Sequence, residues 1–261
     1  MAEQIRFDDG AAYEDFMGQW SQSAGMTFLD WLAPSPQLHW VDVGCGNGAF
    51  TELLVEHFSA SRVQGIDPSS GQIDFARKRL STNSATFQVG DAMALSFADD
   101  SFDAAVMALV IFFVPEPSRG VAEMTRVVKP GGSVSAYAWD FLAGGFPYAA
   151  VNDELVALGS APLAHPSIDA SRIDVLRDLW AGAGLEHVET RSIAVQRTFA
   201  DFDTFWKIAR VGPPFISRIA SLTTTDLQSL QDRLRARLAS NADGSITYSA
   251  SANAVKGTVP R

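Results

Sequence analysis

The chain has 261 residues, enough for one large hydrophobic core with a sizeable insertion, and its 47% hydrophobic and 19% charged content excludes a disordered, collagen-like or coiled-coil chain. Its 20 Lys and Arg stand against 30 Asp and Glu, and the net charge of −10 opposes the counterion release that drives proteins onto nucleic acids. The single cysteine, Cys45, excludes an intrachain disulfide and a cysteine-rich zinc site. The longest apolar run, residues 104–114, falls short of the ~20 residues a membrane-spanning helix needs. Residues 1–10 carry acids where a secretory signal would be apolar, so a cytoplasmic protein is expected.

From about residue 38 to 140 the hydrophobic pattern alternates between strands and helices. Residues 38–43 read as a buried strand that runs into a glycine loop and the helix 49–58. The strand 62–67, the helix 70–80 and the strand 86–91 follow. After an irregular, acid-containing stretch come the strand 102–108, the helix 117–128, the turn Lys129-Pro130-Gly131-Gly132 and the strand 133–139. This alternation predicts a parallel sheet with helices on both faces. Past Asp140 the pattern changes. Residues 141–166 read as an irregular connection with one helix near 152–158, and 171–183 as a helix capped by Ser171. Residues 187–199 read as a strand, 201–240 as helix broken at Gly212-Pro213-Pro214, and 245–255 as a last strand.

The most informative stretch is Val41-Asp42-Val43-Gly44-Cys45-Gly46-Asn47-Gly48. An acid near the end of a buried strand, three glycines at alternate positions and then a helix let a ligand approach the backbone closely. The spacing is Gly-x-Gly-x-Gly, not the Gly-x-Gly-x-x-Gly of dinucleotide binders, and the acid would repel a pyrophosphate but suits an ammonium or a sulfonium. Asp67 ends the second strand in Gly65-Ile66-Asp67-Pro68-Ser69, where a carboxylate can accept bonds from both hydroxyls of a ribose. Asp91, in Gly90-Asp91-Ala92-Met93, ends the third and can accept from an adenine amino group while Ala92 donates its N–H. Three acids at one sheet edge describe a cleft for a cationic nucleoside.

Together with Leu95-Ser96-Phe97-Ala98-Asp99-Asp100-Ser101-Phe102-Asp103 and Glu123-Met124-Thr125-Arg126-Val127-Val128-Lys129-Pro130-Gly131-Gly132, these motifs closely resemble the class I S-adenosylmethionine-dependent methyltransferases. Within them the chain is similar to the small-molecule branch that contains the ubiquinone and menaquinone biosynthesis methyltransferases. The resemblance implies a doubly wound, Rossmann-like α/β sheet of seven mostly parallel strands, with an antiparallel last strand and a helical lid. The expected organisation is covering helices in 1–37, a cofactor-binding core in 38–140, and core completion in 141–261 with lid insertions at about 141–166 and 200–240. The implied cofactor is S-adenosylmethionine, leaving as S-adenosylhomocysteine, with no metal. The resemblance further implies that Asp42, Gly44, Cys45, Gly46 and Gly48 hold its methionine part, Asp67 its ribose, and Asp91, Ala92 and Met93 its adenine, with Ala108 and Leu109 lining it. The run 12–20 resembles a helix that covers the cofactor, which makes Tyr13 and Trp20 candidate contacts; packing on the core explains these aromatics equally well.

Absences narrow the acceptor. No Asn/Asp-Pro-Pro-Tyr/Phe follows the fourth strand, which speaks against methylation of adenine or glutamine amino groups, and Cys45 is misplaced for a thiolate attack on cytosine. The apolar Val110-Ile111-Phe112-Phe113-Val114 departs from the polar pattern expected of a quinone enzyme there. Methyl transfer depends chiefly on alignment and exclusion of water, so no catalytic base need be visible. Of the four histidines, His39, His57 and His187 read as surface or packing residues, and His165 in the lid stretch is the one placed to face the cleft. Asp140, at the end of the fifth strand, either orients a substrate or caps a turn. Phe112, Phe113, Trp139, Phe146, Tyr148, Trp206 and Phe215, with Phe141 and Phe205, suggest an apolar pocket that accepts a ring, although burial explains such residues too. Arg233 and Arg237 share a helix face and Arg235 points elsewhere, as on a solvated surface. The expected partner is a small-molecule methyl acceptor without nucleic acid or membrane insertion, with a homodimer left open. Two rival functions are a non-catalytic S-adenosylmethionine-binding module and an NAD-dependent oxidoreductase.

Overall fold

A computed structural model describes residues 14–80 and 84–261. A π-helical turn, Glu14–Gly18, leads into α1 (Gln19–Leu32), and the sheet begins with β1 (His39–Val43). There follow α2 (Ala49–Glu56), β2 (Arg62–Asp67), α3 (Ser70–Arg79), β3 (Ala85–Val89), β4 (Phe102–Ala108), α4 (Pro117–Val127) and β5 (Val128–Trp139). The remainder comprises α5 (Ala149–Ala157), α6 (Ile173–Gly182), β6 (Glu186–Phe199), α7 (Phe202–Ala209), α8 (Ile216–Ala220), α9 (Thr224–Arg237) and β7 (Ile246–Thr258). The seven strands lie in the order β3-β2-β1-β4-β5-β7-β6, and β7 runs antiparallel to both of its neighbours. The expected seven-stranded, mostly parallel sheet is therefore present. Among the described residues no helix is long and apolar enough to cross a membrane.

Alternation along the strands sends successive side chains to opposite faces, and each face has its own core. Trp40, Ala104, Val106, Tyr137 and Trp139 join Phe28 and Leu29 of α1 and Phe50, Leu53 and Leu54 of α2. Val41, Val43, Ala105, Met107 and Val134 join Val121 and Met124 of α4 and Leu176 and Trp180 of α6. The 3.6-residue period of α4, with Pro117 in its first turn, aims Val121 and Met124 at the sheet. Strand order reverses between β1 and β4, which pair through Trp40 with Ala104 and Asp42 with Val106, so the cleft opens beyond the C-terminal ends of those strands.

Two local expectations are corrected. Lys129 to Gly132 do not form a free turn before the fifth strand but bulge within it, because Gly131 donates to the Val259 carbonyl at 2.8 Å and Gly132 accepts from Val259 at 2.9 Å. Ser171 does not cap α6. It ends a short 3-10 turn, Ile168–Ser171, and its carbonyl accepts the Asn253 side chain of β7 at 2.9 Å, so the helix starts at Ile173 instead. The arginine run of α9 divides as its period requires. Arg233 and Arg237 both reach Glu154 of α5, while Arg235 turns to Asp203 of α7. All three arginines are half exposed, where ion pairs contribute little to stability.

Candidate active site

The strand β1 delivers the glycine loop to the C-terminal edge of the sheet, where Gly44 and Cys45 donate their N–H groups to the Ile66 carbonyl of β2 at 2.7 and 2.9 Å. Gly44, Gly46 and Gly48 have φ of 78°, 52° and 82°, a backbone region open to glycine at little steric cost. A Cβ on Gly44 would lie 2.5 Å from the Val110 side chain, whereas one on Gly46 would meet nothing within 4 Å. The loop thus presses on the β4 end at Gly44 and presents bare backbone to open space at Gly46.

That space is a cavity of about 540 Å³, within the size range of small-molecule sites. Its loop end is walled by Asp42, Gly44 to Asn47, and Asp67 to Ser69. Asp42 is fully buried; one oxygen accepts the Thr51 hydroxyl at 2.7 Å and the other, Oδ1, has no partner. Burial pushes its carboxyl up to about 7, the Thr51 bond opposing this and the nearby Asp67 charge adding to it. Because the folded value lies above the ordinary 3.8, the stability this group confers is complete below about pH 4 and is lost as pH rises toward 7. Urea midpoints of Asp42→Asn should therefore gain on those of the wild type across pH 4 to 7. A gap that stays constant across that window would place the carboxyl at its ordinary value.

Asp67 accepts the Gly46 N–H at 3.0 Å and the Ser69 N–H at 2.9 Å, tying the β2 end to the glycine loop. The segment before α1 is fastened to the same loop, since Glu14 accepts from the Asn47 side chain at 3.1 Å and from Arg79 at 2.8 Å. The Arg79 hydrogen bond holds the Glu14 carboxyl below its ordinary value. Met17 of this segment and Ser21 and Gln22 of α1 enter the cavity wall.

Beyond β4 and β5 the wall changes character. Ala108, Leu109 and Val110 lead to Phe112 and Phe113 on a 3-10 turn, and Trp139, Phe141 and Phe146 face them with Leu163, His165 and Pro214. Leu109 has φ of 61°, uncommon for a side chain of its kind, and its N–H donates to the Tyr137 carbonyl at 2.8 Å. His165 lies 4.9, 4.9 and 4.7 Å, centroid to centroid, from Phe112, Phe113 and Phe141.

Of the sequence-derived candidates, Asp42, Gly44, Cys45, Gly46, Asp67, Ala108, Leu109, Phe112, Phe113, Trp139, Phe146 and His165 line this one cavity. Others stand apart from its wall. Tyr13 lies outside the described residues. Trp20 is buried against Tyr148 and Tyr248. Gly48 backs onto Ala76 of α3. Asp91 is exposed and accepts the Met93 N–H at 2.8 Å, and Ala92 and Met93 pack toward the second core. Tyr148, Trp206 and Phe215 are core residues; the Tyr148 hydroxyl donates to the Phe16 carbonyl at 3.0 Å, and burial pushes it up to about 12. Asp140 accepts the Ala143 N–H at 3.2 Å as a turn residue. His57 and His187 are exposed, and His39 packs on Phe102. Sequence reasoning missed Ser21, Gln22, Gln72, Tyr137, Leu163 and Pro214 of the wall.

Residues 41–136 match a family described as a methyltransferase domain. Over this stretch the chain is similar to methyltransferases. It is 35% identical over 108 residues to the ubiquinone/menaquinone biosynthesis C-methyltransferase UbiE of Paracoccus denitrificans, a stretch covering 40% of this chain and 43% of that protein. It is 39% identical over 92 residues to 2-methyl-6-phytyl-1,4-hydroquinone methyltransferase 1, chloroplastic, of Oryza sativa, covering 35% and 28% respectively. The matched stretches thus span less than half of either relative. The fold of the chain is shared with Haemonchus contortus phosphoethanolamine N-methyltransferase 2 in complex with phosphomonomethylethanolamine and S-adenosylhomocysteine. That likeness has a TM-score of 0.61 at 19% identity and covers 98% of this chain and 59% of that one.

Proposed function

We propose that the protein transfers a methyl group from S-adenosylmethionine to an O, N or C nucleophile on a small, apolar, aromatic acceptor. The observation that carries this reading is a single cavity that joins an acidic, glycine-lined end to an aromatic one. The residues present fit the cofactor. The unpartnered Oδ1 of buried Asp42 suits a cationic group, and the bare backbone at Gly46 leaves room for a ligand against the loop. Asp42 and the backbones of Gly44, Cys45 and Gly46 would hold the methionine part, with Gly48 seating the loop on α3. Asp67 would hold the ribose, Asp91, Ala92 and Met93 the adenine, and Ala108 and Leu109 the side toward the acceptor.

When bound, S-adenosylmethionine supplies a methyl group activated on a sulfonium. The chain's own contribution is alignment of the acceptor and exclusion of water, for which the rings beyond β4 and β5 are suited. The hydroquinone in the name of the rice relative is an aromatic acceptor, which supports a ring-bearing substrate, although the identity lies in the cofactor-binding half. Calorimetry with S-adenosylhomocysteine tests the proposal: the full chain should bind it with one-to-one stoichiometry, and no heat from folded protein would refute the reading. Turnover to S-adenosylhomocysteine across a panel of aromatic acceptors separates an enzyme from a non-catalytic binding module.

A further inference from the structure

The two carboxylates in the cavity wall, Asp42 and Asp67, both belong to its loop end. At the far end, beyond β4 and β5, the wall is built from Phe112, Phe113, Phe141 and Phe146, and His165 is inserted among these rings from the connection after α5. Its ring stands at 61° and 83° to those of Phe112 and Phe113 in T-shaped contacts. Neither imidazole nitrogen has a hydrogen-bond partner among the described residues, and burial alone pushes the group down to about 4. The imidazole is therefore neutral at physiological pH, with one nitrogen able to accept a hydrogen bond and the other able to donate. His165 is half-buried in the cavity wall, so a ligand's polar group can take the place of solvent at its imidazole. A charged ligand group would find no countercharge there.

We propose that the acceptor is an uncharged aromatic ring bearing a hydroxyl group, with the ring against Phe112, Phe113 and Phe141 and the hydroxyl hydrogen-bonded to His165. The ring requirement follows from the walls, the single polar group from the lone imidazole, and the neutrality from the absence of a charged side chain at this end of the described cavity. As a statement about the methyl acceptor the inference rests on the methyltransferase reading; as a statement about what the aromatic end binds, it can be tested separately.

Equilibrium dialysis of the full chain against 2-naphthol, naphthalene and 2-naphthoate at pH 7.5 provides that test. The alcohol should bind more tightly than the bare hydrocarbon by roughly 2- to 10-fold, the worth of one neutral hydrogen bond. The carboxylate should bind at least about 10-fold more weakly than the alcohol, because its charge would lie unpaired among the rings. His165→Phe should erase the preference for 2-naphthol while leaving naphthalene binding in place, and His165→Gln, which can still donate and accept, should retain part of it. Binding of 2-naphthoate as tight as that of 2-naphthol, an undiminished preference in His165→Phe, or no binding of 2-naphthol would each overturn the proposal. Calorimetry with S-adenosylhomocysteine on the same proteins reports on the cofactor end alone. Folded wild type that gives no heat with it refutes the methyltransferase reading without touching the naphthol result.

Discussion

Asp67→Ala should lower the affinity for S-adenosylhomocysteine by about 100-fold, measured by calorimetry at pH 7.5. A carboxylate that grips two hydroxyls makes charge-assisted bonds worth ~1.5 to 3 kcal/mol each, and 1.4 kcal/mol is a factor of ten in affinity. A second loss adds to the first, because the Asp67 carboxylate also holds the Gly46 and Ser69 N–H groups in place. Asp67→Asn keeps one acceptor oxygen and should recover part of the binding. If Asp67→Ala binds as the wild type does, Asp67 has no part in the cofactor site.

The largest effect on stability should come from Trp180→Ala. Trp180 is fully buried between α6 and the sheet, and its indole N–H donates to the Val134 carbonyl of β5 at 2.9 Å. Deleting a buried aromatic of this size costs about 3 to 5 kcal/mol through lost burial and the cavity left behind, and it leaves the Val134 carbonyl short of one partner. For a chain of this length, each kcal/mol lowers the melting temperature by roughly 2 to 4 °C, so a fall of the order of 10 °C is expected in calorimetry or circular dichroism. A change of less than about 2 °C would show that α6 is not anchored through this residue.

The run from β1 to β5 was legible because its signals are local. Alternation of two along the strands, the glycine loop after Asp42 and the acid at Asp67 each depend on a few neighbouring residues, and the structure brings both acids to one cavity. The same holds for the arginines of α9, whose helical period alone separates Arg235 from Arg233 and Arg237.

Contacts distant in the chain decided the rest. Ser171 has the composition of a helix cap, yet a bond from Asn253, 82 residues away, places it before the helix. Lys129 to Gly132 have the composition of a turn, yet pairing with Val259 draws them into β5 as a bulge. A Cβ on Gly257 of β7 would lie 3.0 Å from Trp180 and 3.1 Å from Leu185, a tight fit that no pattern within the strand foretells. The aromatics divide in the same way. Phe112, Trp139 and Phe146 reach the cavity while Tyr148, Trp206 and Phe215 fill the core, although all six have equal claim by composition. Hydrophobicity specifies that a ring leaves water, a property of the residue itself. Whether it then meets a ligand or another side chain depends on what the rest of the chain packs against it, and only the assembled sheet and its covering helices fix that.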